Sequence, residues 1–148
     1  MDRFLSHYCN RIDAKGRVSI PSTFRAILAK EQFGGLYLQP ALECPALDAG
    51  GKALIAEIES VLAGLPPCSD ERDRLSMALY GTSEILKIDG EGRIVLSEAA
   101  KAHAGIAETV IFVGLGSKFQ LWEPESFQAR LEAARGRMRD VRRAGPEP

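Results

Sequence analysis

The sequence predicts an α+β fold, mainly β, built from two tandem copies of one small unit. Three observations in the 148-residue chain predict it: a segment repeated in both halves, a short turn ending in glycine inside each copy, and amphipathic helical segments between and after the copies. With 45% hydrophobic residues, a chain of this length can bury a core. We therefore expect a folded protein with an internal repeat.

The repeat is visible as two aligned segments. The first reads N-R-I-D-A-K-G-R-V-S-I-P-S-T-F-R-A-I-L over residues 10–28, and the second reads L-K-I-D-G-E-G-R-I-V-L-S-E-A-A-K-A-H-A-G-I over residues 86–106. The two copies keep one offset of 76 residues at their aspartates and arginines: Asp13 and Asp89, Arg17 and Arg93. The flanking apolar positions also match, so the pattern indicates duplication.

Each copy predicts a β-hairpin with a three-residue connection that ends in glycine. Gly16 and Gly92 stand where such a turn needs a left-handed backbone conformation, which glycine adopts without a steric penalty. The second strands are predicted over 18–20, where apolar and polar residues alternate, and over 94–96, where all three residues are apolar. Aspartate and arginine then face each other across the turn and can pair, bracing the loop.

A short helix is predicted after each hairpin. Ser22 is placed as the N-cap of a helix over 23–30, and Ser97 as the N-cap of a helix over 98–104. Gly105 is a suitable stop for the second helix. Further strands are predicted at 36–38, 109–113 and 119–122, completing the β-rich units.

Three more helices are predicted. Apolar residues at helical spacing indicate one over 52–63, and Ser69 caps the next, in which Leu75, Ala78 and Leu79 pack inward.

The last predicted helix starts at Pro124 and buries Phe127, Leu131 and Ala134. It then frays into an arginine-rich tail with a disordered end, whose arginines are Arg135, Arg137, Arg139, Arg142 and Arg143.

Charge is segregated along the chain, although the net charge is only −1. Residues 1–30 carry six basic and two acidic side chains, whereas residues 31–73 carry two basic and eight acidic ones. This distribution is compatible with a cationic binding face followed by a solvated acidic region. We find no signal peptide, membrane helix or cysteine framework, and we expect a cytoplasmic protein without membrane association.

The repeated D-x-x-G-R motif supplies the candidate site. Arginine offers a planar five-donor fork that suits phosphate or a guanine edge, and a lysine at the loop tip adds a point charge. The candidate DNA contacts are Arg17, Lys15, Arg11 and Arg93, and the loop-bracing residues are Asp13, Asp89, Gly16 and Gly92. The alternative is a structural ion pair that only stabilises the turn, because exposed pairs contribute about 0–1 kcal/mol.

These segments, together with V-G-L-G-S-K-F-Q-L-W over residues 113–122, resemble the MraZ family, and the resemblance extends over about residues 7–131. The resemblance implies two tandem SpoVT/AbrB-like swapped-hairpin units in a double-psi or β-barrel-like domain with flanking helices. It also implies a ring-shaped homo-oligomer that binds repeated promoter elements of its own division and cell-wall operon, usually as a repressor. By position, the family's loop arginines fall on Arg17 and Arg93 and its loop lysine on Lys15, whereas the second copy has Glu91 in place of lysine.

The resulting organisation is a first unit over 7–54, a helical connection over 55–82, a second unit over 83–126 and a C-terminal helix and basic tail over 127–148. The expected function is sequence-specific transcription regulation, nucleoid-associated, with double-stranded DNA and the chain itself as partners. The alternative is an oligomeric scaffold with structural Asp–Arg turns. No enzyme, cofactor, metal or small-molecule substrate is expected, because no nucleophile and base or ligand set stands at suitable spacing.

Overall fold

A computed structural model describes residues 2–144, in which strands and helices alternate from the first repeat to a long C-terminal helix. The elements are β1 His7–Arg11, β2 Arg17–Ser19, α1 Ser22–Glu31, β3 Leu36–Pro40, β4 Leu47–Gly50, α2 Lys52–Ala63, α3 Asp70–Leu79, β5 Glu84–Leu86, β6 Arg93–Val95, α4 Glu98–Ala104, β7 Thr109–Gly114, β8 Phe119–Trp122 and α5 Pro124–Ala144. The fold is α+β, as the sequence predicts. No helix of the described chain is both long and apolar enough to cross a membrane.

The strands form two antiparallel sheets that interleave the two halves of the chain. The larger sheet has the order β1-β7-β8-β4-β3-β5, and the smaller one is a two-stranded ribbon of β2 and β6. Thus β1 pairs with β7 and β5 pairs with β3, so the first strand of each half pairs with a strand from the other half. The two halves therefore depend on each other for their hydrogen bonds.

The predicted hairpins are correct at the turn and wrong beyond it. The backbone N–H of Asp13 donates to the Arg17 carbonyl over 2.8 Å, and Asp89 and Arg93 make the same contact over 3.0 Å. Beyond this hydrogen bond the two strands of the first copy separate, because β1 pairs with β7 and β2 pairs with β6. Val18 and Ile94 face each other on that ribbon and are each 1% exposed, so burial of both favours this pairing over an isolated hairpin.

The main core lies beneath the ribbon and one face of the large sheet. Phe4, Phe24 and Phe119 stack at centroid distances of 4.9–5.3 Å in edge-on and tilted arrangements. Ile20 and Leu96, the last apolar residues of the predicted strand segments 18–20 and 94–96, lie in the same cluster. Each buried side chain of this size contributes roughly 1.5–3 kcal/mol, which fixes the ribbon on the body of the protein.

The helix boundaries confirm two of the three predicted caps. The Ser97 and Ser69 hydroxyl oxygens accept from the backbone N–H of Ala100 and Arg72, each over 3.1 Å. Ser22 is not a cap: α1 already begins there, after Pro21, which offers no capping side chain. The 76-residue offset pairs Ser97 with Pro21, so the serine in the first copy stands one residue too late.

Other predicted elements are also adjusted. Gly105 ends α4 in the left-handed conformation at φ 66°, as predicted. The strand β4 was not predicted, because Leu47–Gly50 contains aspartate and glycine, which form strands poorly. It forms because β3 and β8 flank it on both sides.

The C-terminal helix is longer than predicted. It begins at Pro124 and buries Phe127, while Leu131 packs partly against the body. Ala134 is exposed, so its predicted burial is wrong, and α5 continues to Ala144 instead of fraying. Its residues from Glu132 to Arg143 are exposed apart from a half-buried Gly136, so nothing in the described part of the chain covers the second half of the helix. The predicted disordered end, 145–148, lies outside the described residues.

Candidate nucleic-acid interface

Loop 1, residues 13–17, is held by a carboxylate that organises the turn from within. Asp13 Oδ1 accepts from the backbone N–H of Lys15 and of Arg17, each over 2.9 Å, and Oδ2 accepts from Arg17 Nε over 2.8 Å. Gly16 closes the turn with φ 83°, and its N–H donates to the Asp13 carbonyl. The aspartate therefore fixes both the backbone and the direction of the arginine.

Loop 2, residues 89–93, repeats these contacts almost atom for atom. Asp89 accepts from the backbone N–H of Glu91 and Arg93 and from Arg93 Nε, all over 2.9 Å. Gly92 takes φ 78°. Both loops therefore share the same hydrogen bonds around an aspartate and the same left-handed glycine.

The loop hydrogen bonds stabilise the charged form of each aspartate. Those from the backbone N–H of Arg17 and from its side chain hold the pKa of Asp13 below its ordinary value of 3.8. The pKa of Asp89 is lowered in the same way by the backbone N–H and side chain of Arg93. The hydrogen bond to Asp89 in turn raises the pKa of Arg93. Both loops consequently carry an ionised aspartate at neutral pH.

The ribbon of β2 and β6 brings the two arginines onto one surface. Arg17 lies opposite Val95 and Ser19 lies opposite Arg93, so these four side chains share one face. The other face holds Val18 and Ile94 in the core. The exposed face is therefore a rigid platform with one arginine near each end.

The loop tips differ in charge. Lys15 is exposed at the tip of loop 1, and the Nη atoms of Arg17 have no hydrogen-bond or ion-pair partner among the described residues. In loop 2, Glu91 stands at the tip, and its Oε2 lies 3.3 Å from Arg93 Nη1. Loop 1 thus presents two cations to solvent, whereas the second arginine is shared between two carboxylates.

The loops also differ in what covers them. The Arg25 side chain of α1 lies on loop 2, where its Nη1 donates to the Glu91 carbonyl over 3.3 Å and its Nε is buried. A Cβ added to Gly92 would fall on this side chain, whereas one added to Gly16 would meet nothing within 4 Å. Arg25 is therefore part of the packing of loop 2 rather than a free cation on the helix surface.

The structure brings the predicted residues together unequally. Arg11 lines a groove with Gly16 of loop 1, so it flanks that loop, whereas Arg93 starts from the other end of the ribbon and lines a separate groove with Arg17. The sequence reasoning missed Lys101, which lines the same groove as Arg11. The signal was available, because Lys101 is the residue 76 positions after Arg25.

Features outside the loops do not form a competing site. The ring of His7 packs on Phe127, with centroids 4.9 Å apart, and His103 lies exposed on α4. Within residues 2–144, no group of three or more histidine, cysteine, aspartate or glutamate side chains could hold a metal ion. The three cysteines are free thiols, and burial raises the pKa of Cys44.

Known proteins that carry one name are similar to this chain over nearly its whole length. A family model described as "MraZ protein, putative antitoxin-like" matches residues 79–143. The "Transcriptional regulator MraZ" of Beijerinckia indica subsp. indica is 57% identical over 143 residues, covering 97% of this chain and 87% of the relative. The chain belongs to the MraZ family. Other members with the same name are 58% identical in Methylocella silvestris, over 97% of this chain and 87% of the relative, and 43% identical in Rhizobium meliloti, over 93% and 94%. The resemblance found in the repeats is confirmed.

Proposed function

We propose that the protein is a transcription regulator that binds double-stranded DNA in a sequence-specific manner through loop 1 and the exposed face of the β2–β6 ribbon. In this proposal it represses its own division and cell-wall operon by binding repeated promoter elements, and it works in the cytoplasm at the nucleoid. The names of its relatives support regulation of transcription. The residues of loop 1 support DNA as the ligand.

The observation that carries the proposal is the pre-oriented Arg17. Asp13 holds the Nε atom of Arg17, while the two Nη atoms have no partner among the described residues. The guanidinium group is therefore oriented and can still bind a ligand through its Nη atoms. A guanidinium held in this way can bind a phosphate or the N7 and O6 acceptors of guanine with little loss of side-chain entropy. Lys15 at the tip of loop 1 and Arg11 in the groove beside that loop add positive charge, which suits the phosphates that flank a base contact.

The shape of the platform suits a duplex. The major groove is about 12 Å wide and admits a two-stranded β-ribbon. The β2–β6 ribbon is three residues long on each strand and is backed by the core, so its exposed side chains can enter a groove as a unit. We assign Arg17 to the groove and Lys15 and Arg11 to the backbone. Arg93 is a secondary contact, because Glu91 and Asp89 already engage it.

Self-association belongs to the same proposal. One loop 1 per chain supplies few contacts, whereas a ring of subunits would present many of them to repeated elements and raise the overall affinity by multivalency. We also keep the division into tandem swapped-hairpin units over 7–54 and 83–126, with 55–82 as connection and 127–148 as helix and tail. The exchange of strands between the two halves supports that description.

One observation favours the alternative of an oligomeric scaffold. The Asp–Arg contacts are present in both loops, including the one with the acidic tip, so they have a structural role irrespective of DNA. A scaffold would lose folding or assembly when Arg17 is removed. If Arg17 binds DNA and has no structural role, its removal would change neither folding nor assembly.

The experiment is fluorescence anisotropy with a labelled duplex from upstream of the gene that encodes the protein, titrated at low and moderate salt. A scrambled duplex of equal length and composition is the control. We expect tight binding to the first duplex and much weaker binding to the second, with affinity falling steeply as salt rises, because bound cations displace counterions from the DNA. Weak and equal binding to both duplexes would contradict sequence-specific regulation.

A further inference from the structure

The second half of α5 is a helix with an apolar stripe that nothing in the described chain covers. From Glu132 to Arg143 the side chains are exposed, apart from a half-buried Gly136, and Met138 and Val141 are 58% and 57% exposed. The segment 132–144 extends for about 20 Å at the rise of an α-helix. A helical segment of that length is marginal in water on its own, so a contact with another surface would stabilise it.

The stripe continues a face that is buried at the start of the helix. Phe127 and Leu131 pack against Ile111 and Trp122 of the large sheet. Helical spacing then places Ala134, Met138 and Val141 on that same face. The face that covers the protein's own sheet in the first turns is therefore presented outward where the sheet ends.

Arginines border the stripe. At 3.6 residues per turn, Arg135 and Arg142 lie along one side of it and Arg137 along the other, while Asp140 is on the opposite face. The segment 130–143 has six basic and two acidic side chains. The uncovered face is thus apolar along its centre and cationic at its margins.

The molecule also contains a cleft with complementary properties, the α2–α3 cleft. It has a volume of about 400 Å³ and lies among α2, α3 and the β3–β4 connection. Its apolar lining includes Leu42 and Val61, which are 55% and 58% exposed. Its charged lining consists of Glu43, Asp48, Glu57, Lys118 and Arg130. Lys118 Nζ lies 3.2 Å from Asp48 Oδ1, which leaves Glu43 and Glu57 against Arg130, so the lining keeps an excess of one negative charge.

We propose that the apolar stripe of α5 from one copy of this chain docks in the α2–α3 cleft of a second copy, with its arginine margins beside Glu43 and Glu57. Amphipathic helices bind apolar grooves through anchors at i, i+4 and i+7 spacing, which Ala134, Met138 and Val141 provide. Charge complementarity selects this partner over a second α5, because pairing two α5 helices would bring arginine margins together. This inference rests on the self-association in the proposed function and names the two surfaces that form the contact.

The contact joins different surfaces on the two copies. Each copy would give one helix and receive another, so the arrangement propagates and closes into a ring when the rotation between subunits permits. Arg130 also lines the cleft, so the base of a subunit's own α5 adjoins the site that receives its neighbour's helix.

The test measures molar mass by size-exclusion chromatography with light scattering, without DNA. We expect the wild-type chain to form an assembly of several subunits and Arg135→Glu/Arg142→Glu to fall to a smaller species. Glu43→Arg/Glu57→Arg should do the same, and combining all four changes should restore the assembly. Arg139→Glu/Arg143→Glu, with the same charge change away from the stripe, should leave the mass unchanged.

A second variant, Met138→Glu/Val141→Glu, removes the apolar contact and should also reduce the mass, with thermal unfolding and circular dichroism showing that each variant stays folded. A monomeric wild type, full assembly in the Arg135/Arg142 or Glu43/Glu57 variants, or failure of the fourfold variant to reassemble would overturn the proposal. Because no DNA is present, these outcomes are independent of DNA recognition. Conversely, if an assembly-deficient variant still binds the promoter duplex, that result supports DNA recognition by a single chain and does not bear on the assembly.

Discussion

Loop 1 and loop 2 have nearly the same backbone conformation but carry opposite charges at their tips. Both use an aspartate to hold two backbone N–H groups and an arginine, with distances that agree within about 0.1 Å. They differ at two loop residues, Ala14 and Lys15 against Gly90 and Glu91, and in their cover, which Arg25 supplies only to loop 2. The comparison shows that the D-x-x-G-R motif specifies the turn, while residues outside its fixed positions decide what the turn can bind.

The largest expected effect comes from exchanging the tip charges. Lys15→Glu should lower affinity for the promoter duplex by about 10- to 100-fold at low salt, because a cation near phosphate becomes an anion. Glu91→Lys should raise affinity and steepen the salt dependence by about one unit of log–log slope, since it frees Arg93 and adds a cation. Anisotropy titrations at several salt concentrations measure both. Unchanged affinity in the two variants would show that the loops do not approach DNA.

A smaller effect is expected on stability, and here loop 2 is the more sensitive. Gly16→Ala should cost about 1 kcal/mol in the free energy of unfolding, because alanine strains a left-handed position. Gly92→Ala should cost about 2–3 kcal/mol, because the new methyl group also displaces Arg25. Urea unfolding at fixed protein concentration measures both changes.

A double-mutant cycle supplies the control for this difference. In an Arg25→Ala background, the excess cost of Gly92→Ala over Gly16→Ala should disappear, because the displaced side chain is absent. Equal costs in the wild-type background would contradict the distinct packing of loop 2.

The smallest expected effect is a pH dependence that the two loops share. Both Asp13 and Asp89 have a folded pKa below the ordinary value of 3.8, so their stabilising effect is complete above that pH and is lost as the pH falls through the lower folded pKa. Asp13→Asn and Asp89→Asn should therefore each destabilise the protein at pH 7 and converge with the wild type in strong acid. Unfolding measured from pH 7 to pH 2 tests this. A gap that persists undiminished at the acid end would contradict ionic bracing.

The sequence predicted the fold class and the turn because those depend on local signals. The glycines, the aspartates and the apolar residues at the ends of 18–20 and 94–96 act within a few residues and repeat with one offset. The pairing of β1 with β7 was not predictable from these signals, because it joins residues about 100 positions apart and depends on which surfaces are buried together. β4 was missed for the same reason, since its flanking strands hold it.

The sequence proposes residues for the candidate site, and the structure adds how the packing around the two loops differs. Alignment of the repeats showed Glu91 in place of Lys15, which already separated the loops by charge. That Arg25 covers loop 2 and that Lys101 borders loop 1 depends on how α1 and α4 pack across the ribbon. Sequence periodicity describes each helix alone and says nothing about which loop it covers.

The most direct test of the central claim compares Arg17→Ala with Arg93→Ala on the promoter duplex, with the molar mass of each variant measured beside its affinity. We expect Arg17→Ala to bind at least about tenfold more weakly and Arg93→Ala to lose less than about threefold, both at wild-type mass, because only Arg17 has a free fork. Arg17→Lys should restore part of the charge but not the two-donor contact. Equal losses for the two alanine variants, or a loss of assembly in Arg17→Ala, would contradict the assignment of DNA recognition to loop 1.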